Sequence, residues 1–150
     1  MAAALNEGRV KRYVTDCPNP QNSVMKGCLC IPHLGASTEE SEDNCACMAA
    51  DELVDYLENG NISHSVNYPD CDMGVCKAAS RIAILHRNVP NMIGQITGCL
   101  AAEGVNISNL TNKSRDQYAY TLLDLDAPCS RDTLQKLCAI EGVLKVRTIC

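Results

Sequence analysis

The chain has 150 residues, of which 46% are hydrophobic and 21% are charged, and its formal net charge is −5. This length suits one ordinary domain or two small ones, and the apolar content excludes wholesale disorder. The negative charge argues against a nucleic-acid-binding surface, and no apolar run reaches the roughly 18 residues of a membrane span. The N-terminus lacks the apolar core of a signal peptide, so we expect a cytoplasmic protein.

The first 58 residues predict two short strands followed by one helix. The strands are predicted within residues 9–16 and over residues 28–31, each ended by prolines or turn residues. Residues 37–40 have the S-x-x-E pattern of a capping box, which predicts a helix from there to about Glu58. Apolar residues recur along this helix at helical spacing, and we expect the face they form to lack a partner within the block: Ala46, Ala49, Leu53, Val54 and Leu57.

Residues 59–79 sustain no period, so a linker is predicted there, whereas residues 80–150 alternate clearly between strands and helices. Glu-Gly-Val occurs twice, at 103–105 and at 141–143, each time where a helix should end and a strand begin. Glycine suits this junction because it takes the left-handed helix cap. The predicted strands lie at 81–86, 105–110, 118–125 and 144–149, and the predicted helices begin near Pro90 and Ser130.

The order β-α-β-β-α-β predicts an α+β fold of the ferredoxin-like type. Two βαβ units form a four-stranded antiparallel sheet with both helices on one face. The core of so short a segment is thin, and the second sheet face and the edge strands are left open. We therefore expect two copies of the chain to pair through them.

Eleven cysteines need an interpretation. Their count is odd and no export signal is visible, which argues against a disulfide framework. A thiol or zinc protein built on residues 28–47 is an alternative, but the C-x-C spacing there is not that of zinc fingers or ribbons. We predict no metal site and interpret the cysteines as mostly small buried residues. The candidate ligands of the zinc alternative are Cys28, Cys30, His33, Cys45 and Cys47.

Two stretches of sequence carry family resemblances. Residues 80–150, with HRNVPN at 86–91 between the first strand and the first helix, resemble the ACT domains, which are amino-acid-sensing modules attached to metabolic enzymes. YVTD at 13–16 and IPHLGASTEE at 31–40 resemble the D-2-hydroxyacid dehydrogenase family. With YLENGNI at 56–62, the combination is similar to the C-terminal part of those members that oxidise 3-phosphoglycerate with NAD in serine biosynthesis.

The resemblance implies roles for individual residues. His33 matches the catalytic histidine, which takes the proton of the substrate hydroxyl while hydride passes to NAD. The residues implied to lie at the nicotinamide end of the cofactor are Asp16, His33, Leu34, Gly35 and Ala36. Those implied to bind the feedback inhibitor L-serine, or a similar amino acid, are His86, Asn88 and Asn106. Asparagine amides suit this ligand because they both donate and accept hydrogen bonds.

The sequence also departs from the family. It contains no G-x-G-x-x-G turn, and the arginine and glutamate that hold the substrate and orient the histidine have no match. We therefore expect residues 1–58 to be a loosely ordered C-terminal remnant of the dehydrogenase domains, 59–79 a linker and 80–150 the ACT domain. Alone, the chain should neither bind NAD nor turn over substrate, and its partners should be a second copy and the missing dehydrogenase portion. The alternative is a stand-alone amino-acid-binding regulatory module.

Overall fold

The computed structural model describes residues 1–150. They form two compact units, Met1–Met48 (unit 1) and Ala49–Cys150 (unit 2), and helix α2 supplies residues to both. No helix is both long enough and apolar enough to cross a bilayer. The elements are α1 (Ala2–Asn6), β1 (Tyr13–Thr15), β2 (Cys28–Cys30), α2 (Glu39–Asn59), β3 (Ser80–Arg87), α3 (Met92–Ala102), β4 (Ile107–Arg115), β5 (Tyr118–Leu125), α4 (Arg131–Ala139) and β6 (Val143–Thr148).

Unit 1 contains the two short strands and the helix start that the sequence predicts, together with the unpredicted α1. Strands β1 and β2 pair in parallel, with Thr15 opposite Cys30. Asn22 is the one fully buried residue of the unit. Its side chain accepts a hydrogen bond from the Asn19 amide at 2.7 Å and donates one to the Cys17 carbonyl at 3.2 Å. This loop is therefore ordered by polar contacts rather than by an apolar core.

Helix α2 begins one position later than its sequence pattern indicates. The Ser41 amide donates to Oγ1 of Thr38 at 3.2 Å, so Thr38 caps the helix and the predicted capping role of Ser37 is wrong. The apolar face of α2 lacks a partner, as expected from the sequence: α2 has no buried residue, and Leu53, Val54 and Leu57 are exposed. Within unit 2, the α2 side chain that packs on the core is Tyr56.

Unit 2 confirms the predicted β-α-β-β-α-β order and the ferredoxin-like sheet. The strand order is β4-β5-β3-β6, and every neighbouring pair is antiparallel. Gly104 and Gly142 have φ values of 69° and 95°, the left-handed conformation that the repeated tripeptide predicts. Ser130 caps α4 by accepting from the Thr133 amide at 3.1 Å.

One sheet face packs against α3 and α4. In β3 and β5 every second side chain points to this face. In α3 and α4 the side chains that face the sheet recur with the 3.6-residue period of a helix. The buried cluster consists of Ile82, Ile84, Ile96, Leu100, Leu123, Leu125 and Leu137. This is the apolar core that the alternating pattern of residues 80–150 predicts.

The opposite sheet face is covered by the chain itself, which corrects the expectation of an open face and of a free linker. Residues 59–79, here called the cover segment, fold back so that Ile62 and Cys71 exchange two backbone hydrogen bonds of 2.9 Å. Both side chains are buried against Ala83, Tyr120 and Leu122. The cover segment lacks a period because its few apolar residues are separated by turns, so the sequence pattern did not reveal it.

The cysteines also differ from expectation. Cys76 and Cys150 form a disulfide across 74 residues of sequence. Among the nine free cysteines, Cys71 is the one that is buried, and five are exposed. The interpretation of these residues as mostly small core side chains is therefore wrong, because most of them lie in unit 1 or on outward helix faces, where no core forms.

The cover segment changes the expected result of limited proteolysis. If residues 59–79 were a free linker, a protease would trim the chain to about residue 79. Because this segment is hydrogen-bonded and packed on the sheet, we expect proteinase K to leave a fragment that still contains it. Intact mass measured after reduction of the digest identifies the new N-terminus. Accumulation of a fragment beginning near residue 79 would contradict the packing.

Candidate functional sites

The first candidate site is at the edge of the β1–β2 pair. Because these strands run parallel, the residues that follow them meet at the same end. Nδ1 of His33 lies 3.5 Å from Sγ of Cys17 and 3.9 Å from Oδ2 of Asp16. The Cys17 thiol donates to Oδ1 of Asp16 at 3.6 Å. The structure thus brings together two residues that the family resemblance implies, and it adds Cys17, whose only sequence signal is that it follows Asp16.

This cluster is open to solvent. The His33 side chain is 69% exposed and that of Asp16 is 43% exposed. The negative charge of Asp16 raises the pKa of the Cys17 thiol, so the neutral thiol is favoured there. Leu34, Gly35 and Ala36 continue the chain after His33 and are all exposed. A Cβ added at Gly35 would meet no atom within 4 Å, so a ligand can approach the backbone here.

His86 is buried, which changes its predicted role. Its Nδ1 lies 2.8 Å from the Arg87 carbonyl and its Nε2 lies 2.8 Å from Oγ1 of Thr121. Because a carbonyl only accepts, Nδ1 carries a proton. Thr121 in turn donates to the side chain of Asn112 at 2.8 Å. Both ring nitrogens are therefore engaged inside the chain, and His86 supports the end of β3 rather than facing a ligand directly.

Asn88 connects the end of β3 to the turn between β4 and β5. Its Nδ2 donates to the Asp116 carbonyl at 3.0 Å, and its backbone amide donates to the Gln117 carbonyl at 3.0 Å. The side-chain amide oxygen is left to accept from a ligand. Asp116 occupies this turn with φ 52°, so the contact depends on a backbone conformation that aspartate tolerates better than most residues.

Asn106 lies at the other end of the sheet. Its Nδ2 donates to the carboxylate of Asp126, just beyond the far end of β5. Because β5 has eight residues, roughly 25 Å separate this position from Asn88. The structure therefore does not bring Asn88 and Asn106 into one site within a single chain.

A polar cavity lies at the end of β3, lined by the residues on either side of Asn88 but not by Asn88 itself. Its volume is about 430 Å³, and its lining residues are Arg87, Val89, Gln95, Glu141 and Gly142. The Arg87 guanidinium lies 5.2 Å from the Tyr118 ring centroid and donates to Gln117 at 3.1 Å, so it is held in place. Arg87 and Glu141 both line this space, although the Arg87 guanidinium is turned toward Tyr118 and Gln117, which do not line it. Sequence reasoning missed both residues, although Glu141 belongs to the repeated tripeptide.

Comparison with known proteins identifies the relatives. No family model matches the chain. A protein of Dictyostelium discoideum is 27% identical over 133 residues, which is 89% of this chain. A protein of Escherichia coli K12 is 28% identical over 81% of this chain. A third protein, from Schizosaccharomyces pombe and named as putative, is 28% identical over 87% of this chain. These relatives are D-3-phosphoglycerate dehydrogenases. The chain spans about 30% of the length of the D-3-phosphoglycerate dehydrogenases, and the match is to their C-terminal part, as the resemblance predicted.

Part of the chain is also similar to solved structures. The ACT domain from GTP pyrophosphokinase of Chlorobium tepidum aligns with a TM-score of 0.42 and 22% identity, covering 46% of this chain and 94% of its own. The regulatory subunit of aspartate kinase from Thermus thermophilus aligns with a TM-score of 0.40 and 12% identity, covering 47% of this chain and 50% of its own. The strand order and helix placement of unit 2 itself establish the ferredoxin-like fold.

Proposed function

We propose that the chain is the amino-acid-sensing C-terminal part of a D-3-phosphoglycerate dehydrogenase, an NAD-dependent enzyme of L-serine biosynthesis. The observation that carries this proposal is similarity to such enzymes over 81–89% of the chain. Unit 2 contains the sensor, with residues 80–150 as an ACT domain and the cover segment as part of its fold. Unit 1 and the start of α2 belong to the dehydrogenase portion.

The amino acid binds in the cavity beside Asn88. A free amino acid carries an ammonium and a carboxylate group; Glu141 is the partner for the first, and the Arg87 guanidinium would turn from Gln117 to pair with the second. Asn88 does not line the cavity, and its proposed role is to position Arg87 through its bonds to Asp116 and Gln117. The resemblance favours L-serine, whose hydroxyl is complementary to the side-chain amide of Gln95. The proposed effect of binding is allosteric inhibition of the dehydrogenase.

A second copy of the chain completes the site. Asn106 and Asn88 lie at opposite ends of the sheet, so Asn106 can contact the same ligand only from another chain. Strands β4 and β6 are the sheet edges and are largely exposed, which leaves their backbone groups available for pairing. We propose a homodimer of unit 2 in which each ligand lies between two chains.

His33 and Asp16 contribute to the catalytic edge of the complete enzyme. His33 would accept the proton of the substrate hydroxyl, and NAD when bound would accept the hydride. Asp16 and the open loop at residues 34–36 fit the nicotinamide end of that cofactor, whereas the sequence offers no pyrophosphate-binding turn. Asp16 stays 3.9 Å from His33, beyond hydrogen-bond distance, so it does not fix the imidazole tautomer. We therefore propose that the chain alone does not turn over 3-phosphoglycerate.

L-Serine should stabilise the full chain against heat. We expect a rise in Tm at millimolar L-serine, measured by differential scanning fluorimetry, because a ligand that binds only the folded state stabilises it. Replacing Glu141 by glutamine, or Asn88 by alanine, should weaken the apparent affinity for L-serine about tenfold or more, since the first removes the charge that pairs with the ammonium group and the second releases the turn that positions Arg87. Isothermal titration calorimetry measures that affinity.

Glu58→Gln is the matched control, because Glu58 is an exposed carboxylate on α2 and does not line the cavity. It should bind L-serine like the unmodified chain. No stabilisation by L-serine, or an unchanged affinity in Glu141→Gln and Asn88→Ala, would contradict the sensor site. Formation of NADH from 3-phosphoglycerate by this chain would contradict its proposed inactivity.

A further inference from the structure

We propose that Asp16, Cys17 and His33 form a binding site for a single zinc ion. These residues offer one carboxylate oxygen, one thiolate sulfur and one imidazole nitrogen from two loops that meet at the end of the β1–β2 pair. The site uses no residue of the amino-acid cavity, but it shares His33 and Asp16 with the proposed catalytic edge, so an ion held there would withdraw both residues from the dehydrogenase reaction. It also differs from the zinc alternative weighed on the sequence, because Cys17 and Asp16 replace the cysteines of residues 28–47.

The distances between the three ligand atoms carry the proposal. Around a tetrahedral zinc ion, with bonds of about 2.3 Å to sulfur and about 2.0 Å to nitrogen or oxygen, neighbouring ligand atoms lie roughly 3.3–3.6 Å apart. Cys17 Sγ lies 3.5 Å from His33 Nδ1 and 3.6 Å from Asp16 Oδ1. Asp16 faces His33 with its other oxygen, Oδ2, which lies 3.9 Å from Nδ1. One ligand atom from each of the three side chains lies within 4.8 Å of the other two, so a rotation of the Asp16 carboxylate brings the set toward the edges of one coordination tetrahedron.

The backbone around Cys17 is held before any ion arrives. The Cys17 amide donates to Oγ1 of Thr15 at 3.1 Å, and the Cys17 carbonyl accepts from the buried side chain of Asn22 at 3.2 Å. Asn22 is 7% exposed, so it fixes the loop from within the unit. A site whose ligands are positioned in advance binds its ion with less loss of conformational entropy.

The chemistry of the three donors selects the ion. A mixed sulfur, nitrogen and oxygen set suits zinc, whereas calcium and magnesium prefer oxygen alone. Because Cys17 and His33 are exposed, solvent reaches the cluster and a water molecule can take the fourth position. Coordination also favours the Cys17 thiolate, since a bound divalent cation outweighs the repulsion from Asp16.

Cobalt(II) is the spectroscopic probe for this site. Titration of the full, unreduced chain under argon should give one equivalent of bound Co²⁺, with a thiolate-to-cobalt charge-transfer band and the d–d bands of a tetrahedral ion. Added Zn²⁺ should remove these bands. Cys17→Ser should abolish the charge-transfer band, and His33→Gln should weaken Co²⁺ binding at least tenfold. Circular dichroism checks that the variants keep their fold. We expect them to do so because both replaced side chains are exposed.

Two double variants are the matched controls, because the chain contains other pairs of closely spaced cysteines. Cys28→Ser with Cys30→Ser, and Cys45→Ser with Cys47→Ser, should each keep the cobalt spectrum of the unmodified chain. Absence of a charge-transfer band from the unmodified chain, or its survival in Cys17→Ser, would overturn the proposal. Loss of the band in either double variant would overturn it as well, since the ion would then bind elsewhere.

Discussion

Replacing Arg81 by methionine should lower the free energy of unfolding of unit 2 by about 3–5 kcal/mol. Arg81 is 1% exposed and forms a bidentate pair with Asp124, at 2.6 Å from Nε and 2.9 Å from Nη2. Its Nη1 also donates to the carbonyls of Asn59 at 3.0 Å and of Gly74 at 2.7 Å. One guanidinium therefore connects β3, β5, the end of α2 and the cover segment.

The large effect follows from what the substitution leaves behind. The Asp124 carboxylate raises the pKa of Arg81, which is the signature of a paired and stabilised cation. In Arg81→Met the Asp124 side chain, which is only 13% exposed, keeps its charge without a partner. The carbonyls of Asn59 and Gly74 also lose the hydrogen bonds that Arg81 donates to them. Replacing Asp124 by leucine in the same chain should recover part of the loss, because the unpaired charge is then removed.

Lys136→Met is the matched control. Lys136 also forms two ion pairs, with Glu103 and Asp132 at 2.7 Å each, but its side chain is 49% exposed. Such solvated pairs contribute little to stability, because water screens them and both side chains must be ordered. Urea denaturation followed by far-ultraviolet circular dichroism measures both variants. A loss in Arg81→Met no larger than that in Lys136→Met would show that the buried pair does not hold the cover segment to the sheet.

The fold of unit 2 was predictable because its signals are local. Alternation in residues 118–125 marks β5 from end to end, and the same tripeptide stands at both helix ends; β6 begins at its valine, whereas β4 begins two residues after it. Each of these patterns needs only neighbouring residues to be interpreted. The capping residue of α2 was placed one position early because two hydroxyl residues, Ser37 and Thr38, stand side by side and both precede glutamates.

The cover segment and the Arg81 network were not predictable in this way. Ile62 and Cys71 pack on Tyr120 and Leu122, which lie far along the chain, and no period in residues 59–79 indicates that contact. Arg81 appears in the sequence as a charged residue at the start of a strand, where exposure is the usual outcome. Burial of a cation becomes visible only when its partner, Asp124, is known to lie opposite it in the sheet.

The candidate sites, like the fold, could be predicted only in part. Family resemblance placed Asp16 and His33 near each other, and the parallel pairing of β1 with β2 accounts for it. Resemblance alone could not separate His86, which is buried, from Asn88, which reaches the surface. Neither could it tell that Asn106 lies at the far end of the sheet, because a set of matched positions does not state how far apart they lie in the fold.

The second large effect should come from the Cys76–Cys150 disulfide. It closes a loop of 74 residues, and in the chain-entropy model a loop of that length stabilises the folded state by about 4 kcal/mol. Cys150→Ser should therefore lower the free energy of unfolding of unit 2 by up to about that amount under oxidising conditions. Cys138→Ser is the matched control, because Cys138 is exposed and free, and its removal should have little effect.

The redox state of the buffer makes this prediction specific. In dithiothreitol the unmodified chain loses the disulfide, so its free energy of unfolding should fall to that of Cys150→Ser, while Cys150→Ser itself should not change. Thiol titration of the unreduced, denatured chain should count nine free thiols. A count of eleven, or an equal response of both chains to dithiothreitol, would show that the two cysteines are not joined. The cover segment would then be held to the sheet by its hydrogen bonds and apolar contacts alone, with Arg81 as its principal connection.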